Sequence, residues 1–184
     1  MASAFQRRKI AGVFGAMDVN GDGLLEEADF EALTARWMKV RDWLPGSEGY
    51  ERIRGVMMGW WETLREAADQ DRDDRVTLDD VMAVIDQLHG MTEAVEATAR
   101  SMFEAVDQDG DGRIGPDEYE QVVTAWKGYE ASAEGIFERL DLDGDGWISL
   151  DEFVGLWSGF WMGDDPASPS NWVFGPFEGH DLGG

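Results

Sequence analysis

The chain has 184 residues, of which 43% are hydrophobic and 11% aromatic, and its formal net charge is −24. That charge argues against DNA, RNA and anionic membrane surfaces as partners and favours cations or a basic partner. The aromatic content opposes a disordered chain. Because there is no cysteine, disulfides and thiolate metal sites are excluded. No stretch approaches the ~18 apolar residues of a transmembrane helix.

The first predicted element is a helix, marked by apolar residues at helical spacing up to Met17. Its leading residues, MASAFQRRKIAGVFGAM, lack the long apolar run of a secretory signal, so we expect none. The helix leads into the acidic segment DVNGDGLLEEAD (18–29), and the apolar stripe resumes at Phe30. The first unit is therefore predicted to be helix, twelve-residue loop, helix.

The spacing within this loop one follows the calcium-loop pattern D-x-[DN]-x-[DN]-G-x5-E. Places 1, 3 and 5 supply side-chain oxygens, place 7 a backbone carbonyl and place 12 a carboxylate, which suits the roughly 6–8 oxygens that Ca²⁺ prefers. Glycine at place 6 permits the sharp turn. The candidate ligands of loop one are Asp18, Asn20, Asp22, the Leu24 carbonyl and Asp29.

The residue at place 12 of loop one is aspartate, one methylene shorter than glutamate. We expect Asp29 to coordinate through one oxygen or to draw the outgoing helix inward. Six-coordination of this kind tilts selectivity toward Mg²⁺, which wants a tighter octahedron. We therefore expect an ion in loop one with some competition from Mg²⁺.

The second loop, DQDRDDRVTLDD (69–80), follows a long predicted helix and departs from the pattern twice. Asp74 replaces the turn glycine, and Asp80 replaces the final glutamate. Aspartate enters the left-handed backbone region at modest cost. Asp69, Asp71 and Asp73 remain and Thr77 could contribute a ligand, so ion binding by loop two is the alternative. We favour a loop two that pairs with loop one and binds no ion tightly.

The third and fourth loops, DQDGDGRIGPDE (107–118) and DLDGDGWISLDE (141–152), meet every requirement of the pattern. Their clustered carboxylates repel one another, and a +2 ion relieves that repulsion. Both are predicted to bind Ca²⁺, which gives three ions in all. The candidate ligands are Asp107, Asp109, Asp111, the Arg113 carbonyl and Glu118, then Asp141, Asp143, Asp145, the Trp147 carbonyl and Glu152.

Each loop carries one apolar residue at place 8, where paired loops form a short antiparallel bridge. We predict that Leu25 pairs with Val76 and that Ile114 pairs with Ile148. The fold class is therefore predicted as all-α, with four helix–loop–helix units in two pairs. The expected domains are residues 1–90 for the first pair and 91–184 for the second, including an apolar tail at 164–184.

The chain resembles the EF-hand superfamily across nearly its full length, and most closely the sarcoplasmic calcium-binding proteins with their bacterial relatives. The likeness rests on one degraded loop among four, on Asp29 closing the first loop, on the long segment GYERIRGVMMGWWETLREAAD and on the tail GFWMGDDPASPSNWVFGPF. The resemblance implies a compact helical protein whose two lobes pack on each other. It also implies cytoplasmic Ca²⁺ and Mg²⁺ buffering.

The apolar tail helps to choose between a calcium buffer and a calcium sensor. A sensor keeps a hydrophobic groove free for a target helix, often lined with methionine. Because a tail this apolar is expected to fill the chain's own cleft, we predict a buffer, with a sensor as the alternative. Since the chain stays strongly acidic even with three Ca²⁺ bound, we also expect a monomer. No enzyme is expected, since loop register accounts for the acidic residues.

Overall fold

The acidic segments lie between helices, as their flanking apolar stripes predict. The structure is a computed structural model that describes residues 3–130, 132–133 and 135–176. The helices are α1 (Ala4–Met17), α2 (Glu27–Arg41), α3 (Glu48–Ala68), α4 (Leu78–Ile85), α5 (Thr92–Val106), α6 (Pro116–Lys127), α7 (Phe137–Leu140) and α8 (Leu150–Met162). Two-residue strands lie within the loops: β1 (Leu24–Leu25), β2 (Val76–Thr77), β3 (Arg113–Ile114) and β4 (Ile148–Ser149). The prediction of an all-α fold is confirmed.

Local sequence explains most helix starts. The Ser47 hydroxyl accepts a hydrogen bond from the Tyr50 N–H at 3.2 Å and caps the 21-residue α3. Pro116 opens α6, where its missing N–H costs little. In contrast, α5 begins at Thr92, and the preceding Met91 makes no side-chain capping hydrogen bond. Helix α7 is a single turn, and Gly135, two residues before it, takes a φ of +74°.

The loops meet in two pairs, and both predicted bridges are confirmed. Strand β1 pairs antiparallel with β2, placing Leu25 opposite Val76. Strand β3 pairs antiparallel with β4, placing Ile114 opposite Ile148. All four side chains are buried. We refer to α1–α4 with loops one and two as the N-terminal pair, and to α5–α8 with loops three and four as the C-terminal pair.

A cluster of tryptophans joins the two pairs in one hydrophobic core. Trp60 of α3 meets Trp126 of α6 edge-on, with ring centroids 5.6 Å apart. It also contacts Trp157 and Trp161 of α8, at 5.6 Å and 6.0 Å. Aromatic contacts of this kind stabilise beyond the area they bury. The two pairs therefore pack directly on each other, as the resemblance implied.

The tail folds back onto this core, as predicted. After a 3-10 turn at Pro169–Trp172, Phe174 is buried against the aromatic core. Its ring centroid lies 5.0 Å from that of Trp157 and 4.8 Å from that of Phe160. The Tyr119 hydroxyl donates to the Trp172 carbonyl at 2.7 Å. Residues 177–184, the last part of the predicted tail, lie outside the described residues.

A buried lysine ties α1 to the end of α8 and to the tail. The Lys9 ammonium donates to the Gly163 carbonyl at 2.8 Å and lies 3.4 Å from the Asn171 side-chain oxygen. Burial lowers the pKa of Lys9 to about 8, although the nearby Asp164 carboxylate opposes this change.

Within the described residues, no helix combines the length and the apolar character that a bilayer span requires.

Candidate metal centre

Loop three folds around the carboxylate of its first residue. Asp107 accepts hydrogen bonds from the Gly110 N–H at 2.8 Å and the Gly112 N–H at 2.9 Å. Both glycines have positive φ, +73° and +83°, which a side chain would oppose. Asp109 accepts from the Asp111 N–H at 3.1 Å. These bonds turn the chain inward and fix the carboxylates at the places that the pattern requires.

Glu118, at place 12 of loop three, closes the loop from the outgoing helix. One of its oxygens accepts from the Gln108 N–H at 2.7 Å, and the other accepts from the Gly115 N–H at 2.9 Å. Carboxylate oxygens of Asp107, Asp109 and Glu118 all lie within 4.8 Å of one another. Three of the predicted ligands are therefore brought together.

Loop four repeats this arrangement. Glu152 accepts from the Leu142 N–H at 2.9 Å and the Ser149 N–H at 2.8 Å. Partial burial opposes ionisation of Glu152, but hydrogen bonds from Ser149, Leu142 and Asp143 outweigh it and hold its pKa below the ordinary value. Oxygens of Asp141, Asp143 and Glu152 lie within 4.8 Å of one another.

The residues at places 5 and 7 of these loops stand beside the carboxylate groups. Asp111 and Asp145 are not members of the two groups, and each accepts from the N–H two residues ahead, Arg113 or Trp147, at 2.9 Å. The Arg113 guanidinium lies over the Trp147 ring at 5.2 Å from its centroid. The two residues whose carbonyls were predicted as ligands thus pack against each other on the outer side of the paired loops.

Loop one adopts the same hydrogen-bond scheme with a shorter closing residue. Asp18 accepts from the Gly23 N–H at 2.8 Å. The two oxygens of Asp29 accept from the Val19 and Glu26 N–H groups, both at 3.0 Å, at the same two places that Glu118 and Glu152 serve. Asp29 is also buried. A side chain one methylene shorter thus makes the same two bonds as Glu118 and Glu152.

Loop two brings three carboxylates together but does not close over them. Oxygens of Asp69, Asp71 and Asp73 lie within 4.8 Å of one another, and the Asp73 carboxylate raises the pKa of Asp71. A single oxygen of Asp80 accepts both the N–H and the hydroxyl of Thr77, at 2.9 Å and 2.6 Å. Among the described hydrogen bonds, none joins Asp80 to place 2 of its loop.

The backbone of loop two copies that of its partners without their glycines. Arg72 and Asp74 have φ of +62° and +61°, at the places where loops one, three and four carry glycine. The left-handed conformation of Asp74 was expected, whereas that of Arg72 was not. Residues with a side chain are disfavoured there by roughly 1–2 kcal/mol, aspartate less than arginine.

Replacing Arg72 with glycine is expected to raise the free energy of unfolding by about 1 kcal/mol, because glycine takes a positive φ without strain. Arg72→Ala is the matched control, since it removes the same charge but keeps a side chain at the strained position. Urea unfolding of the three proteins at equal calcium measures the difference. Equal stability of the glycine and alanine variants would contradict this explanation.

The donor set of these loops fits a hard divalent cation. The candidate ligands are carboxylate, amide and backbone carbonyl oxygens, which suit Ca²⁺ and Mg²⁺. With no cysteine in the chain, and with candidate places that hold no histidine, softer metals lack their preferred ligands. Bringing three carboxylates within 4.8 Å costs electrostatic free energy that a bound +2 ion removes.

Family models match most of this region. One described as "EF-hand domain pair" matches residues 63–124 and 96–158, which together exceed half of the chain, and one described as "EF hand" matches residues 10–34. These ranges include loops one to four.

Curated relatives point to the same family. The beta chain of the sarcoplasmic calcium-binding protein of Penaeus is 30% identical over 111 residues, which cover 55% of this chain and 57% of that protein. The chain thus spans little more than half the length of this relative. The resemblance to sarcoplasmic calcium-binding proteins inferred from the sequence is confirmed.

Solved structures show the same fold. A sarcoplasmic calcium-binding protein from amphioxus superposes with a TM-score of 0.73 at 20% identity, over 96% of this chain and 99% of that one. A Streptomyces coelicolor calcium-binding protein, associated with prokaryotic calcium-mediated regulation, has a TM-score of 0.71 at 24% identity, over 87% of this chain and 99% of that one.

Proposed function

This chain belongs to the EF-hand family, and we propose that it is a Ca²⁺ and Mg²⁺ buffer of the sarcoplasmic type. The observation that carries the proposal is the closing carboxylate. In loops one, three and four, the residue at place 12 spans the loop and bonds the N–H groups of places 2 and 9. This position lets it complete a ring of oxygens around an ion.

Three ions are assigned to these three loops, and loop one is the place where Mg²⁺ competes. The shorter Asp29 and its buried position favour a smaller coordination shell. The proposed ligands are Asp18, Asn20, Asp22, Leu24 and Asp29 in loop one, Asp107, Asp109, Asp111, Arg113 and Glu118 in loop three, and Asp141, Asp143, Asp145, Trp147 and Glu152 in loop four, where Leu24, Arg113 and Trp147 act through their carbonyls.

Loop two is proposed to be a structural partner of loop one. Its closing residue, Asp80, is held by Thr77 instead of spanning the loop, so the ring of oxygens stays incomplete. The Arg75 guanidinium donates to the Glu26 carboxylate of loop one at 2.9 Å, an exposed contact that joins the two loops. The pairing of Leu25 with Val76 supplies the rest of that connection.

A filled interior supports buffering over signalling. Phe174 of the tail occupies the space among Trp126, Trp157 and Phe160, where a sensor would receive a target helix. Large aromatic side chains dominate this interior, which suits a fixed core. The chain's own tail thus takes the place of an external partner. A cytoplasmic location, which the resemblance implies, and a monomeric state, which the strong negative charge favours, are part of the proposal.

A sensor is the second candidate, and one surface feature favours it. An apolar groove runs between α3, α4, α5 and α8, lined by residues such as Trp60, Leu64, Val84 and Leu88. Its volume of about 90 Å³ is far below the roughly 300–1,000 Å³ of typical ligand sites. A target helix would therefore fit only after the groove opens. The Streptomyces protein's association with calcium-mediated regulation gives the same alternative some weight.

Calorimetric titration with Ca²⁺, with and without millimolar Mg²⁺, tests the proposal. Three sites are expected, one of them weakened by Mg²⁺, and three bound ions would change the net charge from −24 to −18 (−24 + 6). A hydrophobic dye should bind less to the calcium-loaded protein than to the ion-free protein. Stronger dye binding on calcium addition, together with capture of a basic amphipathic peptide at micromolar affinity, would support the sensor instead.

A further inference from the structure

Helix α2 connects loop one to the helices that flank loop three. It begins at Glu27, two residues before Asp29, which closes loop one, and it ends at Arg41, roughly 18 Å beyond Asp29 at about 1.5 Å per residue. Along this length it packs against α6, the helix that leaves loop three. Two of its arginines reach backbone carbonyls of the C-terminal pair.

Arg41 binds the end of α5, the helix that enters loop three. Its guanidinium donates to the Val106 carbonyl at 2.9 Å, one residue before Asp107. Burial lowers the pKa of Arg41 to about 10, while the Glu118 carboxylate acts in the opposite direction. Arg41 therefore lies within electrostatic range of both ends of loop three.

The burial of Arg41 is costly enough to need an explanation. Only 8% of the residue is exposed, and its Nε and Nη1 atoms are buried with no hydrogen-bond partner among the described residues. Its guanidinium lies 5.5 Å from the ring centroids of Trp37 and Trp43, and these cation–π contacts offset part of that cost. The charge is held beside the carbonyl end of α5, where the helix dipole favours a cation.

Arg36 makes the corresponding contact with α6. Its guanidinium donates to the Trp126 carbonyl at 3.0 Å, one residue before the end of that helix, and reaches the Ala16 carbonyl of α1 at 3.4 Å. Gly128 lies directly against it, because a Cβ there would come within 2.9 Å of the guanidinium carbon. Arg36 thus bridges the last turn before loop one to the helix that leaves loop three.

We propose that Arg36 and Arg41 couple ion binding in loop three to ion binding in loop one. Asp29 ties the first turn of α2 to loop one through the Val19 and Glu26 N–H groups, and an ion bound in loop one would hold that carboxylate in place. The rigid helix then places the two guanidinium groups against the carbonyl ends of α5 and α6. These two helices flank loop three and hold it in its closed geometry. The inference rests on the proposed function, since it needs both loops to bind ions.

The coupling is measurable loop by loop. The Gly112 N–H of loop three donates to Asp107 and the Gly23 N–H of loop one donates to Asp18, so their NMR amide signals report ion binding at separate sites. Asp18→Asn with Asp22→Asn disables loop one while keeping an oxygen acceptor at each position. A Ca²⁺ titration then gives the midpoint for Gly112 with and without a functional loop one.

Disabling loop one is expected to raise the Ca²⁺ midpoint of Gly112 about five- to tenfold in the native background. In the Arg36→Met/Arg41→Met background, disabling loop one should shift the Gly112 midpoint by less than about twofold. The control, Lys39→Met/Arg52→Met, also removes two positive charges, but from exposed positions, and should retain the full midpoint shift. The single variant Arg41→Lys, which keeps a cation at the end of α5, should show most of the midpoint shift seen in the native background.

Circular dichroism establishes that each variant folds, and the single Arg41→Met variant serves if the double variant does not. Methionine is tolerated here because removing a buried, partly unpaired charge in favour of an apolar side chain is often neutral or stabilising. Equal shifts of the Gly112 midpoint in the native and Arg36→Met/Arg41→Met backgrounds would overturn the coupling. So would the absence of a shift in the native background. A Gly112 signal that ignores Ca²⁺ in every protein would instead refute the proposed function.

Discussion

Replacing Phe174 with alanine is expected to lower the free energy of unfolding by about 3–5 kcal/mol. The ring is 1% exposed and contacts Trp126, Trp157 and Phe160 with centroid distances between 4.8 and 5.1 Å. Removing it leaves a cavity at the junction of the two pairs, which the rigid aromatic neighbours cannot fill. Denaturant unfolding of the calcium-loaded protein measures the change.

Tyr129→Ala is the control, because that ring is 63% exposed and its loss should change stability by less than about 0.5 kcal/mol. The tail variant also tests the choice between buffer and sensor. If Phe174 fills a site that a target would otherwise take, the alanine variant should bind more hydrophobic dye when calcium is present. Unchanged stability and unchanged dye binding would mean that the tail contributes little to the core.

The loops and their pairing were predictable because both follow from fixed spacing along a short segment. Oxygens at places 1, 3, 5 and 12 and an apolar residue at place 8 impose one local geometry. The pairing of Ile114 with Ile148 then follows, since an aliphatic residue amid acids must be buried. The burial of the tail was also predictable, because leaving its aromatic side chains exposed to water is unfavourable compared with burying them.

The roles of the arginines were not predictable, because they depend on contacts between residues far apart in the chain. Arg41 and Val106 are 65 positions apart, and Arg36 and Trp126 are 90 apart. In the sequence, Arg41 reads as an ordinary basic residue in the last turn of a helix, where it would interact with its own dipole. Its burial and its contact with α5 follow only from the way the two pairs pack.

Loops one and two show where the pattern loses its power to discriminate. Both end in aspartate, yet Asp29 spans its loop and Asp80 does not. The two loops also differ at place 9: the hydroxyl and N–H of Thr77 both donate to one oxygen of Asp80, whereas Glu26 donates only its N–H to Asp29. Glu152 also accepts both groups of Ser149, but it is one methylene longer and still reaches Leu142.

Replacing Glu118 with glutamine is expected to weaken Ca²⁺ binding in loop three on the order of a hundredfold. The substitution removes a charge, and it also turns one acceptor into a donor. Both carboxylate oxygens now accept N–H groups, from Gln108 at 2.7 Å and Gly115 at 2.9 Å, so the amide nitrogen must face one of these donors. The side chain is then driven from the position in which it completes the ring of oxygens.

Asp117→Asn provides the control, because it removes the same charge from the neighbouring exposed position on the first turn of α6. General loss of negative charge should weaken binding severalfold at most, since exposed charges are screened by salt and water. Calorimetry should therefore show two strong sites in the Glu118→Gln variant and three in the Asp117→Asn variant. Equal site numbers and affinities in the two variants would mean that Glu118 acts only through overall charge, and the assignment of place 12 as an ion ligand would be wrong.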